Sequence, residues 1–336
     1  MAALSTDMIE PVQLNFAIQY LRAVAVLGVV TYHIAQWRGG GFDIGRAGVD
    51  IFFVISGVIM WSITAGRRTS PAAFAWKRLT RVAPTYWLAT LVVTVIAALW
   101  PQLLTQVRPG PRHLALSLAF IPHLDLAGLP FPVLPVGWTL CYEALFYGLF
   151  ALSLLAPEKD RAAILTATLG SIAALGLGLG GDVYILIANP MLLEFAAGLW
   201  IARIAGRGAL PPRAWGGMLL LSGFGFLVLE QPGGLFFTEL WRPMLWGLPA
   251  AMIVAGAMSL GPVPDIPVVR HLGDASYAIY LWHLPVVAFT ALVLGWHTPL
   301  RLLMPLALGA SICAGLAGQA WLEAPLQRRL RRVARL

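Results

Sequence analysis

The chain has 336 residues, 59% hydrophobic and 11% charged, with a mean hydropathy of +0.78 and a formal net charge of +8. Soluble domains carry about 25% charged residues, so the composition excludes an ordinary soluble enzyme. The long, non-alternating apolar runs exclude a β-barrel and predict an all-α integral membrane protein embedded in a lipid bilayer. Basic loops held on the cytoplasmic side of a membrane account for the net charge, and nucleic acid is not an expected partner. Cys141 and Cys313 both fall in apolar segments. They predict neither a disulfide framework nor a metal site.

The N-terminal stretch MAALSTDMIEPVQLN has no basic n-region and no cleavage site, so the first span is expected to remain uncleaved. In chain order, the apolar segments predict a bundle of about ten transmembrane helices, at 17–37, 49–65, 83–100, 138–155, 162–180, 183–202, 214–230, 241–258, 273–294 and 302–321. With the N-terminus inside, sixteen Lys and Arg fall in cytoplasmic segments and six in outer ones. This positive-inside bias predicts cytoplasmic termini. The Pro-rich connection 101–137 contains HLALSLAFI (113–121), apolar but too short to cross, and a re-entrant or interfacial piece is expected there. The run GLGLGG at 176–181 predicts close helix packing. A single membrane domain over 1–336 is expected, its spans covering about 17–321, with no appended soluble domain.

The first span holds two ionisable residues, Arg22 and His33. Eleven positions make three helical turns plus about 20°, so both project from one face, roughly 16 Å apart along the axis. Gln19 and Gln36 extend this polar stripe. An Arg in hydrocarbon costs at least ~2.5 kcal/mol, so such a stripe faces a wet cavity or a partner. His33 suits a general base or a nucleophile near neutral pH. Asp50 opens the second span at the same end, where its carboxylate is expected to orient the imidazole as a triad's third member does. A solvated carboxylate favoured by the helix dipole is the alternative.

Glu143, in GWTLCYEALFY, is an intramembrane carboxyl and a site candidate, with Thr139 one turn earlier on its face. Glu194 receives the same reading on weaker grounds. The predicted inner loop WKRLTRVAPTYW carries Lys77, Arg78 and Arg81, which either set topology or bind an anion. In LGDASYAIYLWHLP, Ser276, Tyr280 and His283 share one helix face as a polar stripe, a hydrogen-bonded packing seam or a substrate wall. Glu323, in the closing WLEAP, is expected to be structural. Phosphate-loop, nucleophile-elbow, zincin and C-x-x-C motifs are all absent from the sequence. Any chemistry therefore belongs to intramembrane residues.

Arg22-x10-His33, GVDIFFVISG, KRLTRVAPTYW, GWTLCYEALFY, GDASYAIYLWH and WLEAP, in this order over roughly residues 16–325, resemble the membrane acyltransferase-3 family. VGWTLCYEALFYGLF is most similar to the exopolysaccharide O-acetyltransferases, although Ala144 stands where the commoner motif has a second acidic residue. The resemblance implies ten helices in the bacterial inner membrane. It implies acetyl-CoA, or another acyl-CoA, as cytoplasmic donor and a hydroxyl of a polysaccharide or other cell-surface glycan as outer acceptor. It assigns Arg22 and His33 as the catalytic pair and Arg78 and Arg81 to the donor. On the reading of the residues themselves, Asp50 and Glu143 are expected to join the catalytic pair, Lys77 the donor site, and Trp138, Tyr142, Ser276, Tyr280 and His283 the substrate path. Direct transfer and an acyl-histidine intermediate both remain open. A transporter or flippase of a polysaccharide export system is the competing expectation, because a polar stripe through a helical bundle also serves translocation. A non-catalytic subunit of an export assembly is the third.

Overall fold

The computed structural model describes residues 16–105, 107–229, 242–295 and 297–333, which are helical with no strand among them. Helix α1 (Phe16–Gln36) runs unbroken for 21 residues, since it contains no proline, and stops at three glycines, Gly39–Gly41, all at positive φ. A 3-10 turn (Asp43–Arg46) leads into α2 (Ala47–Thr64), which is buried along almost its whole length. Then come α3 (Pro71–Leu99), the short α4 (Pro111–Leu118), α5 (Trp138–Ser153), α6 (Glu158–Leu179), α7 (Gly181–Leu186), α8 (Leu192–Ala205) and α9 (Arg213–Leu229). After a π turn at Pro243–Gly247 follow α10 (Leu248–Ser259), α11 (Pro267–Asp274), α12 (Ser276–Leu294) and α13 (Leu300–Gly318). A second π turn (Gln319–Glu323) joins α13 to α14 (Ala324–Val333).

Among the described residues, seven helical stretches are long and apolar enough to cross a bilayer, against about ten expected. The span expected at 183–202 is instead two helices, α7 and α8, separated by Ile187–Met191. Pro190 explains the break, because it disfavours helix at Asn189 and offers no N–H of its own. The other two shortfalls are α9 and the stretch Pro243–Ser259, apolar but shorter. Residues 230–241, which lie between them and carry the ends of two expected spans, are outside the described residues.

The expected inner loop at 76–87 is helix. Ser70 accepts a hydrogen bond from the Ala73 N–H and Pro71 occupies the first turn, so α3 starts twelve residues before the predicted boundary. Arg78 and Arg81 thus sit three apart on a helix face rather than on a loop.

The short apolar piece in the Pro-rich connection forms α4, and it dips along α3. The Tyr86 hydroxyl and Trp87 indole donate to the carbonyls of Ser117 and Leu118 at the end of α4, at 3.1 and 2.7 Å. Trp87 lies roughly 18 Å below the Leu99 end of α3 at 1.5 Å per residue. The orphan carbonyls of α4 are thereby satisfied away from water. Of the glycine run, Gly176 packs directly on Ala188, whereas Gly180 and Gly181 take positive φ in the turn between α6 and α7.

Helices α2 and α8 meet backbone to backbone at Gly57 and Gly198. A Cβ on Gly57 would fall 3.0 Å from the Gly198 Cα, and the converse is 2.9 Å. Stacked Phe53–Phe195 and Phe146–Phe195 pairs, both 4.4 Å between centroids, fill the space beside this crossing. Gly57→Ala or Gly198→Ala is expected to lower stability by about 1–3 kcal/mol, the usual cost of overpacking. Gly217→Ala, where the added methyl meets nothing within 4 Å, leaves it unchanged. Thermal unfolding of the detergent-solubilised variants checks both.

Candidate active site

A series of adjoining cavities follows α1 from its Arg22 turn to its His33 turn. The first, about 320 Å³, is lined by Gln19, Arg22, Arg81, Asp274, Glu323 and Gln327. Arg22, Ile59 and Arg81 also line the second, about 130 Å³, which continues to Arg78, Glu143, Tyr147, Ser276 and Tyr280. Val49 and Tyr280 are common to this cavity and to a third, about 430 Å³. The third shares Tyr32, His33 and Trp138, among others, with a fourth of about 560 Å³. Both polar stripes read from the sequence face this path. Ser276, Tyr280 and His283 climb α12 alongside the Arg22–His33 face of α1.

At the first end, Arg22 donates to Gln19 Oε1 at 3.2 Å. Glu143 accepts from Ser56 Oγ at 3.0 Å and from the Tyr147 hydroxyl on its own helix, so one oxygen is fixed by two donors. Arg78 lies with its guanidinium 5.9 Å over the Phe74 ring, and its Nε is buried with no hydrogen-bond partner. Arg81 stands 3.7 Å from Glu323, which in turn accepts from Gln327. Lys77 is exposed and lines none of these cavities. The structure therefore gathers Arg22, Arg78, Arg81 and Glu143 and leaves Lys77 aside.

In the middle, the Tyr280 hydroxyl donates to the Val136 carbonyl at 2.9 Å and lies 2.8 Å from Thr139 Oγ1, which also reaches Val136 at 3.0 Å. Two hydroxyls, from α5 and α12, thus close on one carbonyl of the preceding turn, at the boundary of the second and third cavities.

At the far end, His33 meets His283. His283 is fully buried, and its Nδ1 faces the Tyr280 carbonyl at 2.7 Å. A carbonyl only accepts, so Nδ1 carries the proton and Nε2 of the neutral ring presents a lone pair. That lone pair lies 3.2 Å from His33 Nδ1, which also faces the Val29 carbonyl at 2.9 Å. His33 Nδ1 is by the same logic the donor, and its Nε2 is left as the basic nitrogen. The ring is further held edge-on to Tyr32, with centroids 4.9 Å apart. His33 lines both far cavities, together with Trp138. Tyr142 lines the third only.

Asp50 does not take the place expected of it. Both its oxygens are engaged by Arg242, at 3.2 Å to Nε and 2.9 Å to NH2, and the pair is buried, at 0% and 3% exposure. Glu194 is buried beside them over Gly247. The orienting partner of His33 is a second imidazole rather than this carboxylate. The sequence did name His283, but as substrate wall. Tyr147 could have been read from its i+4 spacing to Glu143. Ser56 and Arg242 carry no local signal, since each acts across 87 and 192 residues.

Fold and site define a multi-pass helical membrane protein with a hydrogen-bonded histidine pair at the meeting point of internal cavities. The sequence pattern of the family described as an acyltransferase domain matches residues 15–321, and the chain belongs to this acyltransferase-3 family. It is 38% identical over 309 residues to the exopolysaccharide production protein ExoZ of Rhizobium meliloti, covering 89% of this chain and 94% of that one. It is 27% identical to the putative peptidoglycan O-acetyltransferase YrhL of Bacillus subtilis and 27% to the peptidoglycan O-acetyltransferase OatA of Listeria monocytogenes. These cover 84% and 83% of this chain but 51% and 50% of the relatives, so it spans about half their length. No solved structure matches the chain.

Proposed function

We propose that the protein transfers an acetyl group from acetyl-coenzyme A in the cytoplasm to a hydroxyl of an exopolysaccharide or related cell-surface glycan on the outer side of the bacterial inner membrane. One observation carries this reading: adjoining cavities run from a cluster of three arginines at one end to His33 at the other and are parted by the Tyr280 hydroxyl. The kinship of the chain with an exopolysaccharide production protein and with peptidoglycan O-acetyltransferases supports the glycan and the acetyl group.

Arg22, Arg78 and Arg81 suit the phosphates of coenzyme A, because guanidinium forks match phosphate oxygens. The unpartnered, buried Arg78 Nε is a donor in want of an anion. The weight of Lys and Arg at this end supports its cytoplasmic placement. The pantetheine arm then follows the polar face of α1 and brings the thioester to His33, roughly 16 Å on. Arg22 thus acts on the donor arm and not on the reacting carbonyl.

His33 Nε2 takes the proton of the sugar hydroxyl as its oxygen attacks the thioester carbonyl. The C–O bond forms, the C–S bond breaks, and the imidazolium returns the proton to the departing thiolate. While charged, the ring keeps two acceptors on Nδ1–H, the Val29 carbonyl and His283 Nε2. This is the work a triad's carboxylate does elsewhere.

Thiol release from acetyl-coenzyme A by the purified protein in detergent, with deacetylated cell-envelope glycan as acceptor, tests the reading. Release with acetyl appearing on the glycan is expected; silence with every glycan fraction would shift the weight to the transporter. The double variant Arg78→Ala/Arg81→Ala is expected to raise KM for acetyl-coenzyme A about tenfold or more, by loss of charge-assisted contacts. A KM unchanged in that variant would remove the arginines from the donor site.

A further inference from the structure

The two cavities at the His33 end are adjoining lobes that share Tyr32, His33, Phe131, Pro132, Val136 and Trp138. The third lies between α1, α2, α5, α7, Tyr280 of α12 and the Pro-rich connection, and is lined by Tyr142, Tyr184 and Asn189. The fourth lies between α1, α3, α12 and the Pro-rich connection and is lined by Gln36, Trp37 and Asp125. His33 and Trp138 stand where they join. Each cavity also has an exposed rim, at Ile121 for the third, Thr105 and Leu129 for the fourth, and Phe131 for both.

We propose that these cavities are the two arms of one saddle that grips a glycan chain on both sides of the reacting sugar. The acceptor is then an interior residue of an oligosaccharide or polysaccharide, not a free sugar or a chain end. Three features carry the argument. A terminal acceptor needs one pocket beside the base, and here there are two of comparable size, each within the range of sites that enclose a small ligand. Both arms pair aromatic rings with hydrogen-bonding groups, the combination that seats the C–H face of a sugar while satisfying its hydroxyls. Trp138, common to both, places an aromatic surface beside His33, where the central sugar has to lie.

The inference rests on the glycan acetyltransferase reading above, and its test separates the two. The polysaccharide of the cells that carry the protein is deacetylated with alkali, cut with mild acid and sized into fractions of one to eight sugars. These serve as acceptors with acetyl-coenzyme A, and tandem mass spectrometry locates the new acetyl group. Leu186→Trp, in the third cavity, and Leu104→Trp, in the fourth, each narrow one arm. With wild type, kcat/KM is expected to rise at least tenfold from one sugar to three or more, with acetyl on interior residues. Each tryptophan variant is expected to lose at least tenfold on the longer fractions relative to its own activity on single sugars. Acetyl confined to chain ends, or single sugars that react as well as hexamers, would overturn the saddle and leave the acetyltransferase intact. Loss in only one variant that still releases thiol would also overturn it. Absence of thiol release with all fractions would sink the underlying reading and the saddle with it. The mapped position of acetyl on the wild-type product decides even where a variant fails to fold.

Discussion

His33→Ala abolishes all but a trace of acetyl transfer, a loss of about 10²–10⁴-fold, the contribution of a positioned general base. The loss is expected to fall on kcat, with KM for acetyl-coenzyme A near wild type, because His33 lies away from the arginines proposed to hold the donor. Thiol release and glycan acetylation fall together, since water and sugar need the same base. His283→Ala follows at about 10–100-fold, the usual cost of removing the group that orients an active imidazole. His283→Gln restores part of the rate, because its side-chain oxygen offers an acceptor towards His33 Nδ1–H. A merely structural His283 would not show this rescue. Full activity in His33→Ala would end the assignment of the base.

Arg242→Met is expected to destabilise the protein by about 3–5 kcal/mol, because it strands the buried Asp50 carboxylate without its ion-pair partner. Asp50 is fully buried and has both oxygens on that guanidinium. The double variant Asp50→Leu/Arg242→Met recovers most of the loss, since an apolar pair of similar volume replaces a buried ion pair at little cost. The melting temperature in detergent reads both effects. The protein that remains folded keeps its KM for acetyl-coenzyme A, because the pair lies outside the donor cavities. An Asp50→Asn protein that melts like wild type but transfers nothing would return Asp50 to the role of orienting His33.

What was legible in the chain follows from what is local. The Arg22–His33 stripe could be read because α1 is an unbroken helix, and eleven residues on one helix fix a common face. The α12 stripe was readable for the same reason. Its meeting with α1 was not, since His283 reaches His33 across 250 residues and no periodicity encodes that distance. Asp50 was placed at the correct end and given the wrong partner. Arg242, on the far side of an apolar stretch, registered only as one of the outer positive charges. Two misreadings had local signals that were outweighed. Ser70-Pro71 marked the start of α3, but the charges at 77–81 suggested a loop. Asn189-Pro190 marked the gap between α7 and α8, but the mean hydropathy across it suggested one span.

The closure at Tyr280 bears on the energetics of the membrane itself. In the proposed cycle, cavities that approach from both ends bring the electrical boundary of the bilayer to the layer formed by Tyr280, Thr139 and the Val136 carbonyl, which the uncharged pantetheine arm crosses. Moving one elementary charge through such a layer costs or yields about 2.3 kcal/mol per 100 mV. An acetyl group carries no charge, and in the proposed cycle the proton shuttles on the His33 side alone. Acetylation across the membrane then neither draws on the transmembrane voltage nor dissipates it, and the thioester is its sole source of driving force.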